Sequence, residues 1–168
     1  MRFSDLYFRF FVFALVIISA TNAGAQENPP IPITVEVNTS QFLNFGSFTA
    51  GPGVGTVTVD HSGVRTPTGD VVLLNMGESP SAALFDVTAN PGTIIQINAP
   101  TNITLTGSNG GEIYLDINSF STGNPFITSA NPPSTNAVFV GGTLNIPANA
   151  VNLSGRYSGT FTLTFNHQ

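Results

Sequence analysis

The chain has 168 residues, contains no Cys and carries a net charge of −5 from four arginines and nine acidic residues. Nucleic acids and anionic membrane surfaces are poor partners for such a chain, because both are bound through clusters of Lys and Arg. The lack of Cys argues against the small disulfide-bonded scaffolds of secreted animal proteins.

The N-terminal residues have the pattern of an export signal. Two arginines precede an apolar run over residues 10–20, which is too short to cross a bilayer comfortably. Residues 23–25 (Ala-Gly-Ala) then match a cleavage site, so a cleavable signal peptide is predicted over residues 1–25. An uncleaved membrane anchor is the disfavoured alternative, and no membrane span is predicted in the mature chain.

After the signal, the chain is predicted to form a short leader and one domain. Three prolines in residues 26–32 disfavour both a helix and a central strand. Residues 33–168 then suit a single domain with one core, since most domains have about 100–150 residues. The two arginines of this domain are Arg65 and Arg156.

Alternation of apolar and polar residues predicts β-strands through the whole domain. The first strand covers residues 33–38, where Ile33, Val35 and Val37 alternate with polar side chains. A glycine-rich turn is predicted at residues 51–55. Further strands are predicted at residues 56–60, 70–75, 83–88, 93–98, 102–106, 112–118 and 137–146.

Two parts of this pattern carry more specific predictions. The apolar run at residues 70–75 is typical of a short strand that is buried on both faces. The strong turn Asn-Pro-Gly at residues 90–92 predicts a hairpin between the strands at 83–88 and 93–98.

The last strand has the clearest alternation. Tyr157, Phe161, Leu163 and Phe165 share one face and are the candidate core of this strand. No part of the domain shows a helical period, and turns rich in Gly, Pro and Asn separate many short strands. This pattern predicts an all-β fold, an antiparallel β-sandwich of the immunoglobulin-like (pilin-like) kind.

Threonine rows are the most distinctive surface feature. In residues 56–58 and 160–164, Thr occupies every second position. A flat Thr array can bind ice or sugar, but Thr also suits any exposed strand face because it is β-branched and polar. The second interpretation is favoured.

The sequence predicts no catalytic, cofactor or metal site. Residues 77–81 lack the final Gly of a serine-hydrolase elbow and contain Pro, which is typical of a surface loop. His61 and His167 are the two histidines of the chain. Asp60 beside His61 is interpreted as a solvated strand end rather than a pair of metal ligands, because no other ligand converges on them in the sequence.

Four motifs follow one another along the domain. They are Leu-Asn-Phe-Gly-Ser-Phe at residues 43–48, Gly-Thr-Val-Thr-Val at 55–59, Phe-Asp-Val-Thr-Ala-Asn-Pro-Gly at 85–92 and Ser-Gly-Arg-Tyr-Ser-Gly-Thr-Phe-Thr-Leu-Thr at 154–164. In this order the chain resembles the bacterial family called domain of unknown function 4402, over about Val35 to Asn166. It is more distantly similar to spore coat protein U and fimbrial subunits. The resemblance implies a secreted immunoglobulin-like or pilin-like sandwich.

The resemblance also suggests a mode of assembly. Fimbrial subunits often complete a neighbour's sheet with an N-terminal strand, which makes Ile33, Val35 and Val37 candidate strand-exchange residues. Many of those subunits carry a disulfide, whereas this chain has no Cys.

Two functions are therefore expected as alternatives. The first is that of a non-enzymatic structural or adhesive subunit, exported to the bacterial cell envelope or surface, whose partners are copies of itself or other surface subunits. The second is that of a monomeric secreted module that binds a ligand such as a glycan.

Overall fold

A computed structural model of the protein describes residues 31–148 and 154–168. The predicted signal peptide and most of the predicted leader lie outside these described residues. Residues Ile31–Gln168 form one compact unit, in which eleven strands and no helix are described. The strands are β1 (Thr34–Val37), β2 (Ser47–Val59), β3 (Arg65–Leu74), β4 (Ala83–Thr88), β5 (Ile94–Asn98), β6 (Ile103–Gly107), β7 (Glu112–Phe120), β8 (Phe126–Ile127), β9 (Asn136–Ile146), β10 (Tyr157–Ser158) and β11 (Thr164–His167).

The prediction of an all-β fold with antiparallel strands is confirmed. The paired strands run antiparallel and fall into a sheet of eight and a sheet of three. Antiparallel sheets commonly bury one face and expose the other, which is what alternation in the sequence predicts. In the part of the chain that the structure describes, no helix has the length and hydrophobicity to span a membrane.

β9 is the central strand of the larger sheet. Its residues 136–140 pair with β4 and its residues 142–146 pair with β2, both along one edge. Its other edge pairs with β7. β1 extends the sheet beyond β4, β3 extends it beyond β2, and β6 and β10 extend it beyond β7. In the smaller sheet, β5 pairs with β11 on one edge and with β8 on the other.

The two sheets share one hydrophobic core. The larger sheet contributes fully buried valines, namely Val57, Val59, Val87, Val138 and Val140. The smaller sheet contributes Ile95, Ile97 and Phe126. Phe85 of β4 and Phe165 of β11 connect the sheets directly, with ring centroids 6.0 Å apart. Burial of each large apolar side chain contributes roughly 1.5–3 kcal/mol, so this shared core is the main source of stability.

The prediction of a fully buried strand at residues 70–75 is wrong. These residues are the end of β3 and the position after it, and Val71 is buried while Val72 is 62% exposed. Within the described residues β3 pairs with β2 alone, so it lies at an edge of the sheet with one face toward solvent. An apolar run cannot distinguish this position from a central one.

The predicted hairpin between residues 83–88 and 93–98 is also wrong. Both strands form, but β4 belongs to the larger sheet and β5 to the smaller one. The turn at residues 90–92 therefore connects two sheets. Turn residues specify that the chain reverses direction, but they do not specify which strand the next segment pairs with.

The glycine-rich residues 51–55 lie within β2 instead of forming a turn between strands. The pairing of β2 with β3 shifts register between Ala50 and Gly55. The extra residues bend the two-stranded ribbon, as β-bulges do. Asp70 of β3 stabilises the bend, because its Oδ2 accepts a hydrogen bond from the Gly53 amide at 2.8 Å.

Arg65 connects the two ends of this bent ribbon. Its Nη1 donates hydrogen bonds to the carbonyl oxygens of Phe45 and Ser47, at 3.0 and 2.9 Å. Its Nη2 donates to the carbonyl oxygen of Leu74 at 3.0 Å. Gly46 permits this approach, since a Cβ there would stand 2.6 Å from Nη1. Because Ser47 pairs with Leu74 at the far end of the ribbon from Arg65, these bonds require the ribbon to fold back on itself.

The predicted last strand is interrupted. β10 pairs with β6 in the larger sheet, whereas β11 pairs with β5 in the smaller one. Between them Gly159 passes Leu105 closely, since an added Cβ would be 2.6 Å from Leu105 Cδ2. The alternation of burial continues across the interruption, because Phe161, Leu163 and Phe165 are half-buried and pack against the core.

Candidate functional site

The candidate strand-exchange residues lie in or beside β1, at an edge of the larger sheet. Val35 pairs with Val87, and Val37 pairs with Phe85. Ile33 and Val35 are half-buried and pack against the core, whereas Val37 is 61% exposed. No described strand pairs with the outer edge of β1. The segment is thus placed on its own domain and is held through one edge.

The contact between β1 and β4 is short and carries like charges. It consists of four residue pairs, and Glu36 lies directly opposite Asp86. Like charges in opposite positions weaken a strand pair. The main attractive contribution of β1 therefore comes from its backbone pairing and from the half-buried side chains of Ile33 and Val35.

A wide cleft lies between residues 42–51 and residues 154–161. It has a volume of about 780 Å³. Tyr157 and Phe161, from the candidate core of the last strand, are among its lining residues. Its floor is formed by Leu105, Ile113, Leu115, Leu144 and Ile146. Each floor side chain is at most 8% exposed, so the cleft reaches the core without uncovering it.

A weak ion pair connects the two walls of this cleft. Arg156 Nη2 lies 3.6 Å from Glu78 Oε1, and Asn44 Nδ2 donates a hydrogen bond to Glu78 Oε2 at 2.8 Å. Both charged side chains are largely exposed, so the pair contributes little to stability. The walls of the cleft thus combine these polar groups with apolar side chains, among them Phe48 and Phe42, which is 52% exposed.

The outward face of the larger sheet is a second candidate site, which we call the polar face. Strand register aligns its side chains into two rows across β3, β2, β9 and β7. The first row is Thr68, Thr56, Asn145 and Tyr114, and the second row is Thr66, Thr58, Thr143 and Asp116. These rows are outward because the residues between them along β2, β9 and β7 are buried.

Hydrogen bonds between neighbouring strands position the side chains of the polar face. The hydroxyl oxygens of Thr56 and Thr68 are 2.6 Å apart. Asn145 Nδ2 donates to Asp116 Oδ2 at 2.7 Å, and Asp116 Oδ1 accepts a hydrogen bond from the Asn102 amide at 2.7 Å. The carboxylate therefore fixes the orientation of the Asn145 amide, which lies next to Tyr114 in the first row.

A shallow pocket of about 310 Å³ lies along the first row. All four side chains of that row line it. The other lining residues are Val54, Gly55, Gly69, Ile146 and Pro147. An apolar and aromatic lining with a few fixed polar groups is the usual composition of a small-molecule site.

Asp60 and His61 lie at the turn that follows β2, and their side chains form hydrogen bonds with different partners. Asp60 Oδ1 accepts hydrogen bonds from Ser62 Oγ at 2.6 Å and from the Val64 amide at 2.9 Å. The Ser62 hydroxyl, followed by the Val64 amide, lowers the pKa of Asp60 below its ordinary value of 3.8. His61 Nδ1 lies 3.1 Å from Ser119 Oγ. Among the described residues, no three His, Asp or Glu side chains are grouped to hold a metal ion.

The fold and its surface define an antiparallel all-β domain with a polar outer face. Comparison with family models then identifies the family, since the model described as Domain of unknown function (DUF4402) matches residues 35–167. The chain belongs to this family, as its motifs predict. A search of the curated proteins and a search of the solved structures each gave no match. The more distant similarity to spore coat protein U and fimbrial subunits stays a prediction.

Sequence reasoning identified one part of the polar face and missed the rest. The Thr row at residues 56–58 is visible in the sequence, but its partners on β3 and β9 become neighbours only through strand pairing. Thr58 and Thr143, whose hydroxyl oxygens are 3.0 Å apart, are separated by 85 positions in the chain. The row at residues 160–164 does not join this face, because Thr164 belongs to β11 in the smaller sheet.

Proposed function

We propose that this protein is a non-enzymatic structural or adhesive subunit that is exported to the bacterial cell envelope or surface. In this proposal residues 1–25 are a cleaved signal peptide, and the two sheets form an immunoglobulin-like, pilin-like sandwich. The shared core between a larger and a smaller antiparallel sheet supports the sandwich. The apolar run and cleavage motif in the N-terminal sequence support export.

The position of β1 is the observation that carries the assembly proposal. β1 is a four-residue edge strand at the start of the compact unit, and β4 is the strand it pairs with. Its backbone hydrogen bonds and its half-buried Val35 can be supplied equally well by β1 of a second copy. Subunits would then assemble by exchange of this N-terminal strand, with backbone pairing giving affinity and side chains giving register.

Strand exchange of this kind is controlled by concentration. β1 of the same chain and β1 of a second copy make the same contacts with β4. The difference in free energy between the monomer and the exchanged assembly is therefore set by the linker and by the cost of association. Residues 38–46 connect β1 to β2, so this is the segment that must extend for β1 to reach a neighbour. The like charges of Glu36 and Asp86 weaken the home pairing and lower the barrier to its release.

Engineered cysteines test the exchange directly, because the chain has no Cys of its own. Glu36 and Asp86 are register partners on the outward side of the β1–β4 pair, so their replacement leaves the core intact. The mature chain with Glu36→Cys and the mature chain with Asp86→Cys are unfolded together, refolded together and oxidised. We expect a disulfide-linked heterodimer, since the two cysteines lie opposite each other when β1 of one copy pairs with β4 of the other.

The matched control moves one cysteine out of register. Thr34 pairs with Thr88, two positions from Asp86, and diagonal neighbours are about 7–8 Å apart, too far for an unstrained disulfide. Mixing Thr34→Cys with Asp86→Cys should therefore give no heterodimer. If the Glu36→Cys and Asp86→Cys chains also stay uncrosslinked at all concentrations, β1 pairs at home and the exchange proposal is wrong.

A charge in β1 gives a second test with its own control. Val35→Asp places a carboxylate against the core, whereas Val37→Asp alters a residue of the same face that is 61% exposed. Light scattering after size-exclusion chromatography should show assemblies for the wild type and Val37→Asp but not for Val35→Asp. Circular dichroism should remain β-type in all three.

The polar face favours a second candidate function, that of a ligand-binding module that acts as a monomer. This alternative predicts a single monomeric species in the same light-scattering experiment, together with binding of a ligand at the pocket described above.

A further inference from the structure

The shallow pocket of the polar face has the geometry of a flat binding platform. Its four strand residues are direct neighbours in register, from Thr68 through Thr56 and Asn145 to Tyr114. Neighbouring strands are about 4.8 Å apart, so the row extends about 14 Å across the sheet. The platform is rigid, because three of its four strands are fixed on both edges by other strands.

The polar groups of the row retain capacity for a ligand. In the Thr56–Thr68 contact one hydroxyl donates and the other accepts, so one of the two hydroxyl protons is left to point elsewhere. Asn145 uses its Nδ2 on Asp116, which leaves its Oδ1 as an acceptor in a fixed orientation. The row thus combines donors and acceptors that do not depend on charge.

The apolar groups of the pocket complement these polar groups. Tyr114 contributes an aromatic ring with a hydroxyl at its edge, and Pro147 and Val54 add aliphatic surface. Val54 is 66% exposed, so this apolar surface is available for contact. A pyranose ring has the matching chemistry, since its C–H groups pack on aromatic and aliphatic surface while its hydroxyls exchange hydrogen bonds at the periphery.

The charges around the pocket favour a neutral carbohydrate over an acidic one. Asp116 lies in the second row, directly beside the pocket, and Glu112 is two positions from Tyr114 along the same strand. The chain has no Lys, and neither arginine of residues 31–148 and 154–168 lines the pocket. Arg65 is engaged with three backbone carbonyls, and Arg156 lies in the large cleft on the other side of the sheet. An anionic sugar or phosphate would meet carboxylates without a compensating cation, so the site favours a neutral ligand.

We propose that the pocket formed by Thr56, Thr68, Asn145 and Tyr114 binds a neutral carbohydrate. The ring of Tyr114 packs against the sugar face, and the hydroxyl and amide groups of the row bind the sugar hydroxyls. This inference deepens the adhesive role proposed above and supplies it with a ligand class, but it does not depend on strand exchange. It applies equally to a polymer subunit and to a monomer.

Affinity gel electrophoresis of the mature protein tests this inference. Soluble mannan, dextran, laminarin and hydroxyethylcellulose serve as neutral probes, and polygalacturonate serves as the acidic comparison. We expect retardation by at least one neutral polysaccharide and none by polygalacturonate. Retardation by polygalacturonate alone, or by none of the probes, would overturn the proposal.

Four variants connect any retardation to the pocket. Tyr114→Ala should weaken binding at least about tenfold, whereas Tyr114→Phe keeps the ring and should stay within about threefold of the wild type. Thr68→Arg introduces a bulky cation at an exposed edge-strand position, so it should also abolish retardation without disturbing the core. Thr164→Ala removes an exposed Thr from the smaller sheet and should change nothing.

The outcomes separate this inference from the assembly proposal. Val35→Asp should lose assemblies and keep carbohydrate binding, whereas Thr68→Arg should lose carbohydrate binding and keep assemblies. Unchanged binding in both Tyr114→Ala and Thr68→Arg, with native circular dichroism, would show that the pocket is not the site. Thr68→Arg keeps the test decisive if Tyr114→Ala fails to fold.

Discussion

The two faces of β2, β9 and β7 come from alternating residues of the same strands and have opposite roles. On the inward face, Val57, Leu144 and Leu115 are paired neighbours and at most 3% exposed. On the outward face, Thr56, Asn145 and Tyr114 are paired in the same way but are partly open to solvent. The inward row is covered by other apolar side chains, whereas the outward row is available to a ligand.

This difference shows where stability and binding are located in the domain. Inward side chains contribute through burial, which depends on area and close packing rather than on direction. Outward side chains contribute little to stability, and their hydrogen bonds mainly fix orientation. Substitutions on the two faces should therefore separate stability from function.

The largest effect is expected from a truncation on the inward face. Leu144→Ala should lower the free energy of unfolding by about 2–5 kcal/mol, because it removes buried methyl groups and leaves a cavity. Thr143→Ala, the adjacent residue on the outward face, loses the hydroxyl contacts with Thr58 and Asn118 and should cost about 1 kcal/mol, because both contacts lie on the solvent side of the sheet. Chemical denaturation measures both. Equal costs at the two positions would contradict the assignment of the faces.

Arg65 is an exception to the apolar inward face, because it pairs with the fully buried Val59 and so points to the same side of the ribbon. Arg65→Met leaves the three carbonyl oxygens of Phe45, Ser47 and Leu74 without this donor. A hydrogen bond to a charged group contributes about 1.5–3 kcal/mol, so the total loss should exceed about 2 kcal/mol.

Two further arginine variants make this measurement specific. Arg65→Lys should recover little stability, because an ammonium group lacks the fork that reaches several carbonyls at once. Arg156→Met is the matched control, since that side chain is 75% exposed and its ion pair is weak, and it should cost under about 0.5 kcal/mol. A similar loss for both arginines would refute the role given to Arg65.

A smaller effect is expected where the strand pairing is interrupted. Phe161 lies between β10 and β11, is half-buried, and has its ring centroid 6.4 Å from that of Phe85. Phe161→Ala should cost about 2 kcal/mol, less than the roughly 3–5 kcal/mol of a fully buried Phe. Thr162→Ala, which is exposed, should cost under about 0.5 kcal/mol. Thermal unfolding of Phe161→Ala and Thr162→Ala shows whether inward and outward side chains continue to alternate in the segment between β10 and β11.

The smallest effect concerns the turn that keeps β2 and β3 in register. Because the folded protein lowers the pKa of Asp60, the carboxylate stabilises the fold above the ordinary value of 3.8, and this contribution is lost as the pH falls through the lowered pKa. Asp60→Asn should therefore be slightly less stable than the wild type at pH 7, and the difference should shrink below about pH 4. Denaturation at pH 7 and pH 2.5 measures it. A difference that stays constant with pH would contradict the charge-assisted bonds to Ser62 and Val64.

Much of the fold is predictable from local patterns in the sequence. Alternation located nearly all strands, and the positions of Phe161, Leu163 and Phe165 against the core follow the same period. Some errors concern partners, since β4 does not form a hairpin with β5 and β3 is an edge strand rather than a buried one. Others concern strand bounds, since the turn predicted at residues 51–55 lies within β2, the last strand is interrupted between β10 and β11, and β8 is not among the predicted strands. Alternation reports which residues share a face, but it carries no information on which strand lies alongside.

The candidate sites show the same limit. The Thr row of β2 is readable in the sequence, but Thr68, Asn145 and Tyr114 come from three other strands and from distant parts of the chain. For β1, the sequence indicates a strand with one apolar side, and the tertiary structure places it against Val87 at an edge.

The amino-acid sequence by itself determined the all-β class of this protein, most of its strand positions and its family, because these depend on composition, on period-two alternation and on local motifs. The tertiary structure alone decided which strands pair, which edges remain open and which polar residues meet on one face. The physical reason is that pairing is a long-range choice among many similar strand edges, made by the packing of the whole core. The pocket around Tyr114 exists only as a product of that choice.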